Sequence, residues 1–377
     1  SVAGTSNLAA MRGAGIFESS NGGLSWSQMP STRTWGFVNR IVIDPRNSSI
    51  LLVATTSGIY RSTNRGQTFT RTDTRNTMDL DMHPTDSSRV IAGTGTGLAL
   101  YSTNGGQSFS IASGVSRAVR VETAYYRASP NTVYAAVSEA QQRIRIYRSN
   151  DGGRSYTRTT SGQGISTYSR YNNALWCDPT NSNRLWIGGV RSYRSTNGGA
   201  TFSQVSSGGY YDYHAFAEEP GYDGSTKRRV YSCSDGGVHH IDAVSGTRWT
   251  ELNNNLGINQ FYGAAISPSG TILAGAQDQG SVQVSGNGNS ESWRKVLGGD
   301  GGFCAADPTN ANYIYGEIYW LRLYRSTNGG GSYRSIRGNI NEQGNFIPPF
   351  ILDPNNPNRM LAGGRHLWRN SAVRTGT

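Results

Sequence analysis

The sequence predicts an all-β protein: a single β-propeller of four-stranded antiparallel blades, about eight of them, with seven and ten as the bounds. Three observations predict it. A box of the form Ser-x-Asn/Asp-x-Gly-x-Ser/Thr-aromatic recurs along the 377 residues. An apolar run ending in Asp-Pro or a relative recurs upstream of the boxes. No stretch carries the 3.6-residue period of a helix. Four short strands in roughly 44 residues cannot bury both faces of one unit, so the units must stack radially and close on themselves.

The first box runs from Ser19 to Trp26 and opens the chain. Five cleaner copies follow, from Ser62 to Phe69, Ser102 to Phe109, Ser149 to Tyr156, Ser195 to Phe202 and Ser326 to Tyr333. Two more are eroded, one from Ser232 to Gly237 and one ending at Trp293. The upstream runs end at Asp44-Pro45, His83-Pro84, Asp178-Pro179, Asp307-Pro308 and Asp353-Pro354. Each leads through polar turn residues into a β-branched run such as Leu51 to Thr55, then a third run such as Gly58 to Arg61. The box then turns the chain into a fourth strand. The chain begins near a second strand, Val2 to Thr5, and ends after a third, His366 to Arg369. Two readings of the ends stay open. The Ile351 strand completes the first blade within one domain, 1–377, or the chain is a piece of a longer one.

Composition narrows the function classes. The net charge is +11, and with only Lys227 and Lys295 as lysines the basic residues are almost all arginine. These arginines are spread through every repeat, and no basic run exceeds Lys227-Arg228-Arg229, which argues against nucleic acid as the partner. Anionic polysaccharide or an acidic protein surface suits arginine and tyrosine better. The longest aliphatic run, Ile50 to Ala54, is far too short to span a bilayer. Cys177, Cys233 and Cys304 show no metal spacing, and Cys177 and Cys304 read as buried strand thiols. Arg61, Arg148, Arg194 and Arg325 occupy one repeat position before the box and read as a structural ladder. His239 and His240 are neighbours on a strand, so their rings face opposite ways.

The boxes resemble the Asp-box, or BNR, repeat of sialidases, sortilin-type receptors and xyloglucan-cleaving hydrolases, and the match covers nearly the whole chain. That resemblance implies a hairpin between third and fourth strands at the propeller rim, with the aromatic packed inward. Asn replaces Asp in most copies, and its carboxamide oxygen can accept the same backbone bonds. Residues 209–335 resemble more closely a group of secreted bacterial Asp-box proteins labelled glycosyl hydrolases. The carrying residues are Asp212-Tyr-His214, Ser234-Asp-Gly-Gly237, Gln260-Phe-Tyr262, Gln277-Asp-Gln-Gly280 and Gly299-Asp-Gly-Gly302. The chain departs from two relatives. The Arg-Ile-Pro segment of sialidases is absent, and the xyloglucan hydrolases carry two propellers where this chain holds one.

The same stretch departs most from the tidy repeat and holds the candidate site. Asp212, Asp235, Asp278 and Asp300 are the candidate catalytic carboxylates, expected near one end of the channel. A glycosidase needs two such groups about 5 to 9.5 Å apart. His214, Gln277, Tyr211, Tyr262 and Trp320 are the candidate ligand-binding residues. Tyr125-Tyr126, Tyr210-Tyr211 and Tyr319-Trp320 lie in loop-like segments, and two readings stay open for each: a platform of exposed rings, or packing buried between blades. No cofactor is expected, and Ca2+ is the one ion that clustered carboxylates could take up. The function read from these residues is a secreted or cell-surface binding module for a glycan or protein partner, or a scaffold within a larger assembly. The alternative is hydrolysis of a polysaccharide by a carboxylate pair at the channel mouth.

Overall fold

A computed structural model describes residues 12–376 apart from 116–117, 141, 163, 169–170, 206, 255, 258, 289–291 and 343. The strand expected at Val2 to Thr5 lies outside the described residues. Apart from a single 3-10 turn, Pro30–Thr32, every regular element among the described residues is a strand. The chain forms two compact units, 1–253 and 254–377.

Unit 1 opens with a two-stranded pair, Phe17–Glu18 against Ser27–Gln28, and continues with five blades. In blade 1, Val38–Ile43, Leu51–Thr55, Gly58–Ser62 and Thr70–Asp73 pair antiparallel in chain order. Blades 2 (77–111), 3 (118–158), 4 (174–204) and 5 (213–251) repeat that order. Blade 3 adds a short fifth strand, Ile165–Ser166, against Arg143–Ser149. Unit 2 holds blades 6 (261–297) and 7 (301–335) and a three-stranded sheet, 350–370, in which Ile351 pairs with Leu361. Both units are runs of β-propeller blades.

Within each unit the first strands sit side by side. Val38–Ile43 packs on Thr77–Met82, and Ala118–Tyr125, Ala174–Cys177 and Tyr213–Glu218 follow in turn. Phe261–Ile266, Gly301–Ala306 and Phe350–Asp353 do the same in unit 2. The first strand is therefore the innermost. The second strand is the core: every residue of Leu51–Thr55, Val90–Thr94, Leu185–Gly188 and Ile314–Ile318 is buried. That explains why these runs are mostly apolar, without the alternation of a half-exposed strand, Glu317 being the one charged exception in these four strands. Blades approach closely where glycine allows it. A Cβ on Gly93 would lie 1.9 Å from the Val121 carbonyl oxygen of the next blade.

The five clean boxes are hairpins between third and fourth strands, as expected, but Ser232 to Gly237 is not a box: it spans the turn between the second and third strands of blade 5, at the other end of the blade. Each asparagine or aspartate accepts the backbone N–H four residues on: Asn64 from Thr68 (3.0 Å), Asn104 from Ser108 (3.1 Å), Asp151 from Ser155 (3.0 Å), Asn197 from Thr201 (3.0 Å) and Asn328 from Ser332 (2.9 Å). The box serine hydroxyl accepts a glycine N–H, as Ser62 does from Gly66 at 2.8 Å. Tyr156 is buried beneath its box, whereas Trp26 of the first box is 62% exposed. The Asp-Pro aspartates clamp the turn after the first strand. Asp178 accepts the Thr180 N–H at 2.8 Å, and Asp307 that of Thr309 at 2.9 Å.

The arginine ladder is structural at three of its four rungs. Arg61 donates to the Gly105 carbonyl (2.9 Å), Arg194 to Gly246 (3.0 Å) and Arg325 to Val373 and Gly376 (both 2.7 Å), each about one repeat downstream. Arg148 instead lies 5.8 Å over the Tyr134 ring. Cys177 is buried and Cys304 half-buried in first strands, and burial pushes the Cys304 thiol up to about 12. Tyr125 corrects the loop reading of its segment. It ends the eight-residue strand Ala118–Tyr125 and is 3% exposed, because the Val133 pairing extends the ladder that far.

Candidate functional site

Each blade has two ends. The Asp-Pro turns and the boxes lie at one end; the turns between second and third strands, and the crossings into the next first strand, lie at the other. All four candidate aspartates fall at the second end. Asp212 precedes the strand Tyr213–Glu218, and Asp235 sits in the turn between Arg229–Ser234 and Gly237–Asp242. Asp278 occupies the corresponding turn of blade 6, and Asp300 precedes Gly301–Ala306.

In unit 1, Asp212, His214 and Asp235 come together. Asp212 and Asp235 bring one carboxylate oxygen each within 4.8 Å of the other. Asp235 also donates its N–H to the Asp212 carbonyl at 3.2 Å. Its Oδ1 lies 2.6 Å from His214 Nε2, and its Oδ2 accepts the Tyr171 hydroxyl at 2.9 Å. The Tyr171 and His214 rings meet edge to face at 4.9 Å. Asp212 Oδ1 accepts the side-chain amide of the buried Asn172, whose own oxygen accepts the Tyr168 N–H at 2.7 Å. Strand alternation does not explain this grouping. Asp212 has φ +58°, outside the extended region, so Asp212 and His214 meet through Asp235 rather than by sharing a strand face.

Beside this cluster stands an exposed aromatic. Tyr211 is 44% exposed, yet the Arg191 guanidinium lies 3.8 Å from its ring centroid and donates to its hydroxyl at 2.6 Å. Tyr210 meets the Tyr211 ring edge-on at 5.7 Å. The ring is held in place while facing solvent.

The innermost strands of unit 1 carry further charges that sequence reasoning missed. Asp79 accepts the Thr123 N–H at 2.8 Å and lies 3.5 Å from Arg40. Glu122 pairs with Arg120 at 2.6 Å, and Arg120 donates to the Tyr171 carbonyl at 2.9 Å. Burial pushes the Glu122 carboxyl up to about 7 against the pull of Arg120. Burial, with Asp79 nearby, raises Asp81 to about 6. The signal was present in the period-two acids Asp79 and Asp81, but only packing shows that both accept N–H groups from the first strand of the next blade.

In unit 2, Asp278 donates its N–H to Asp300 Oδ1 at 2.8 Å and has φ +62°. Gln277 is exposed and accepts the Tyr262 hydroxyl at 2.5 Å. Burial, then Asp300 and Asp278, raise the pKa of that hydroxyl. Trp320 and Leu321 are consecutive left-handed residues, both at φ +59°. The Trp320 N–H donates to the Phe346 carbonyl at 3.0 Å, and Tyr319 stacks parallel on Phe346 at 6.0 Å. The candidates thus fall into Asp212, His214, Asp235 and Tyr211 in unit 1, Asp278, Asp300, Gln277 and Tyr262 in unit 2, and Trp320 with its own aromatic neighbours.

The Asp212–Asp235 pair offers carboxylate oxygens of the kind that Ca2+ takes, although that ion gathers six to eight oxygen ligands. No helix among the described residues is long and apolar enough to cross a membrane.

A family model described as sortilin, neurotensin receptor 3 matches residues 14–145. Solved structures similar to this chain include an ancestral GH74 enzyme (15% identity, 96% of this chain and 65% of that one, TM-score 0.48). The GH74 enzyme of Niastella koreensis is 18% identical over 97% of this chain and 76% of that one, with a TM-score of 0.43. YCF48 bound to a D1 peptide is 13% identical over 78% of this chain and 93% of that one, with a TM-score of 0.37. The chain spans 65% of the length of the first of these structures. Among curated proteins, none matches. The blades are of the Asp-box type.

Proposed function

We propose that the chain is a secreted or cell-surface binding module whose unit 1 presents a glycan-binding face built from Tyr211, Arg191, His214, Asp212 and Asp235. The observation that carries this reading is the exposed Tyr211 ring, fixed by Arg191 at 3.8 Å beside a carboxylate–imidazole pair at 2.6 Å. A ring already held in one orientation loses little entropy when a sugar face stacks on it. Carboxylates and an imidazole alongside supply directional partners for hydroxyl groups. The N–H and C=O groups of the neighbouring strands are already paired in the sheet, so recognition falls to these side chains. A protein partner is the other occupant such a face accommodates.

A second reading is favoured by one distance. One oxygen of Asp212 lies within 4.8 Å of one of Asp235, just under the roughly 5 to 5.5 Å that separates the acid and the nucleophile of a retaining glycosidase. Screening wild type and Tyr211→Ala on a glycan array tests the binding reading, with retention lost in the variant at an unchanged melting temperature. An array with no retained glycan counts against it. Reducing-sugar release from a retained polysaccharide, abolished in Asp212→Asn with binding intact, would move the assignment to hydrolysis.

A further inference from the structure

Blades 1, 2, 3, 4 and 7 join first and second strands through seven residues each: 44–50, 83–89, 126–132, 178–184 and 307–313. Blade 5 uses ten, 219–228, and this longer loop contains part of the basic run Lys227-Arg228-Arg229. The added length is ordered rather than loose. Asp223 Oδ1 accepts the N–H groups of Ser225 and Thr226 (2.8 Å each) and Lys227 (2.9 Å). The Thr226 hydroxyl and these amides hold the Asp223 carboxyl well below the usual carboxylate range. Tyr222 anchors the loop to blade 4, its hydroxyl donating to Asp178 at 2.7 Å and its ring edge-on to Trp176 at 5.5 Å.

Between this loop and the third strand lies a cavity of about 330 Å³, lined by Glu219, Thr226, Arg228, Arg229, His240 and Asp242. Its acids are already engaged. Asp242 pairs with Arg228 at 2.7 Å and accepts the Val244 and Ser245 N–H groups, while Glu219 accepts the Arg229 N–H at 2.8 Å. Its remaining donors are not. Among the described residues the Arg229 guanidinium has no hydrogen bond or ion pair, and His240 Nδ1 is buried without a partner. Lys227 is on the same loop but outside the lining, its Nζ 3.4 Å from the Pro220 carbonyl, and serves as the nearby-charge control.

We propose that this cavity binds a phosphate or sulfate group, with Arg229 as the principal ligand and His240 beside it. A planar guanidinium matches two oxygens of a tetrahedral anion, and a volume near 300 Å³ admits the group together with a small ester substituent. The site is separate from the Tyr211 face, at the opposite end of blade 5, and does not depend on the glycan reading.

The test is calorimetric titration of the full chain with inorganic phosphate, inorganic sulfate, glucose 6-phosphate and glucose 6-sulfate, with sodium chloride at matched ionic strength as control. Saturable binding of the oxyanions but not of chloride is expected, weakened tenfold or more in Arg229→Gln and less in Lys227→Gln, with melting temperatures unchanged. Tighter binding of the esters than of the free ions would identify an esterified ligand; equal binding would identify the free ion. Heats that do not saturate at tens of millimolar, or equal affinity in Arg229→Gln, would overturn the proposal. Arg229 is exposed, so its variant retains the fold, and the Lys227 variant supplies an independent check.

Discussion

Glu317→Gln is expected to remove a pH dependence that burial imposes on unit 2. Glu317 lies in the strand Ile314–Ile318 with no exposed surface. Its Oε1 accepts the Phe303 N–H at 3.1 Å, and its Oε2 has no partner. Burial pushes this carboxyl up to about 8 from an ordinary value of 4.5. The folded chain therefore keeps the proton up to about pH 8, while the unfolded chain gives it up near pH 4.5. Unfolding releases a proton between those limits, so the stabilising contribution is complete below pH 4.5 and is lost as pH rises through about 8. At 1.36 kcal/mol per unit, the window corresponds to about 5 kcal/mol. Glutamine cannot ionise, but its amide places donors where Oε2 has no partner, which costs about 1 kcal/mol. Urea unfolding across a pH series should show the variant slightly less stable than wild type at pH 5 and several kcal/mol more stable at pH 8.5. Parallel stability curves for the two proteins would mean that Glu317 ionises alike in the folded and unfolded chain.

The remaining predictions concern the boxes. Asn197→Ala removes the acceptor of the Thr201 N–H at 3.0 Å and should cost about 1 kcal/mol by thermal unfolding, whereas Asn197→Asp keeps the acceptor and should stay within about 0.5 kcal/mol. Tyr156→Ala deletes a ring that is 4% exposed and should cost about 3 kcal/mol or more. Trp26→Ala, at a ring 62% exposed, should change stability by less than about 0.5 kcal/mol in the same assay. Equal losses for these two would mean that the first box packs as the others do.

The repeat was legible because its chemistry is local. A serine hydroxyl and an asparagine oxygen close the box within a few residues, so Ser62, Asn64 and Gly66 announce a hairpin wherever they occur. Asp178 and Asp307 likewise announce their turns, because the acceptor and the N–H it captures are two residues apart. The site was legible only by residue type. Asp212 and Asp235 stood out as departures from the repeat, but nothing local showed that Asn172, forty residues upstream in the chain, would hold Asp212. Tyr171 and Arg120 were missed for the same reason: their partners come from other blades. The left-handed backbone at Trp320 and Leu321 carries no sequence signature, since neither residue type favours it.

If the Tyr211 face of unit 1 is where a ligand binds, the nearby His214 ring must sense it. The most direct test follows the imidazole resonances of His214 and His366 by NMR while the strongest glycan from the array is added. His214 lies 2.6 Å from Asp235, and His366 pairs with Glu342 in unit 2 at 2.7 Å. The His214 resonance should shift and saturate with the binding curve, His366 should not move, and Tyr211→Ala should abolish the shift. A glycan that binds while His214 stays unmoved would contradict a ligand site at the Tyr211 face.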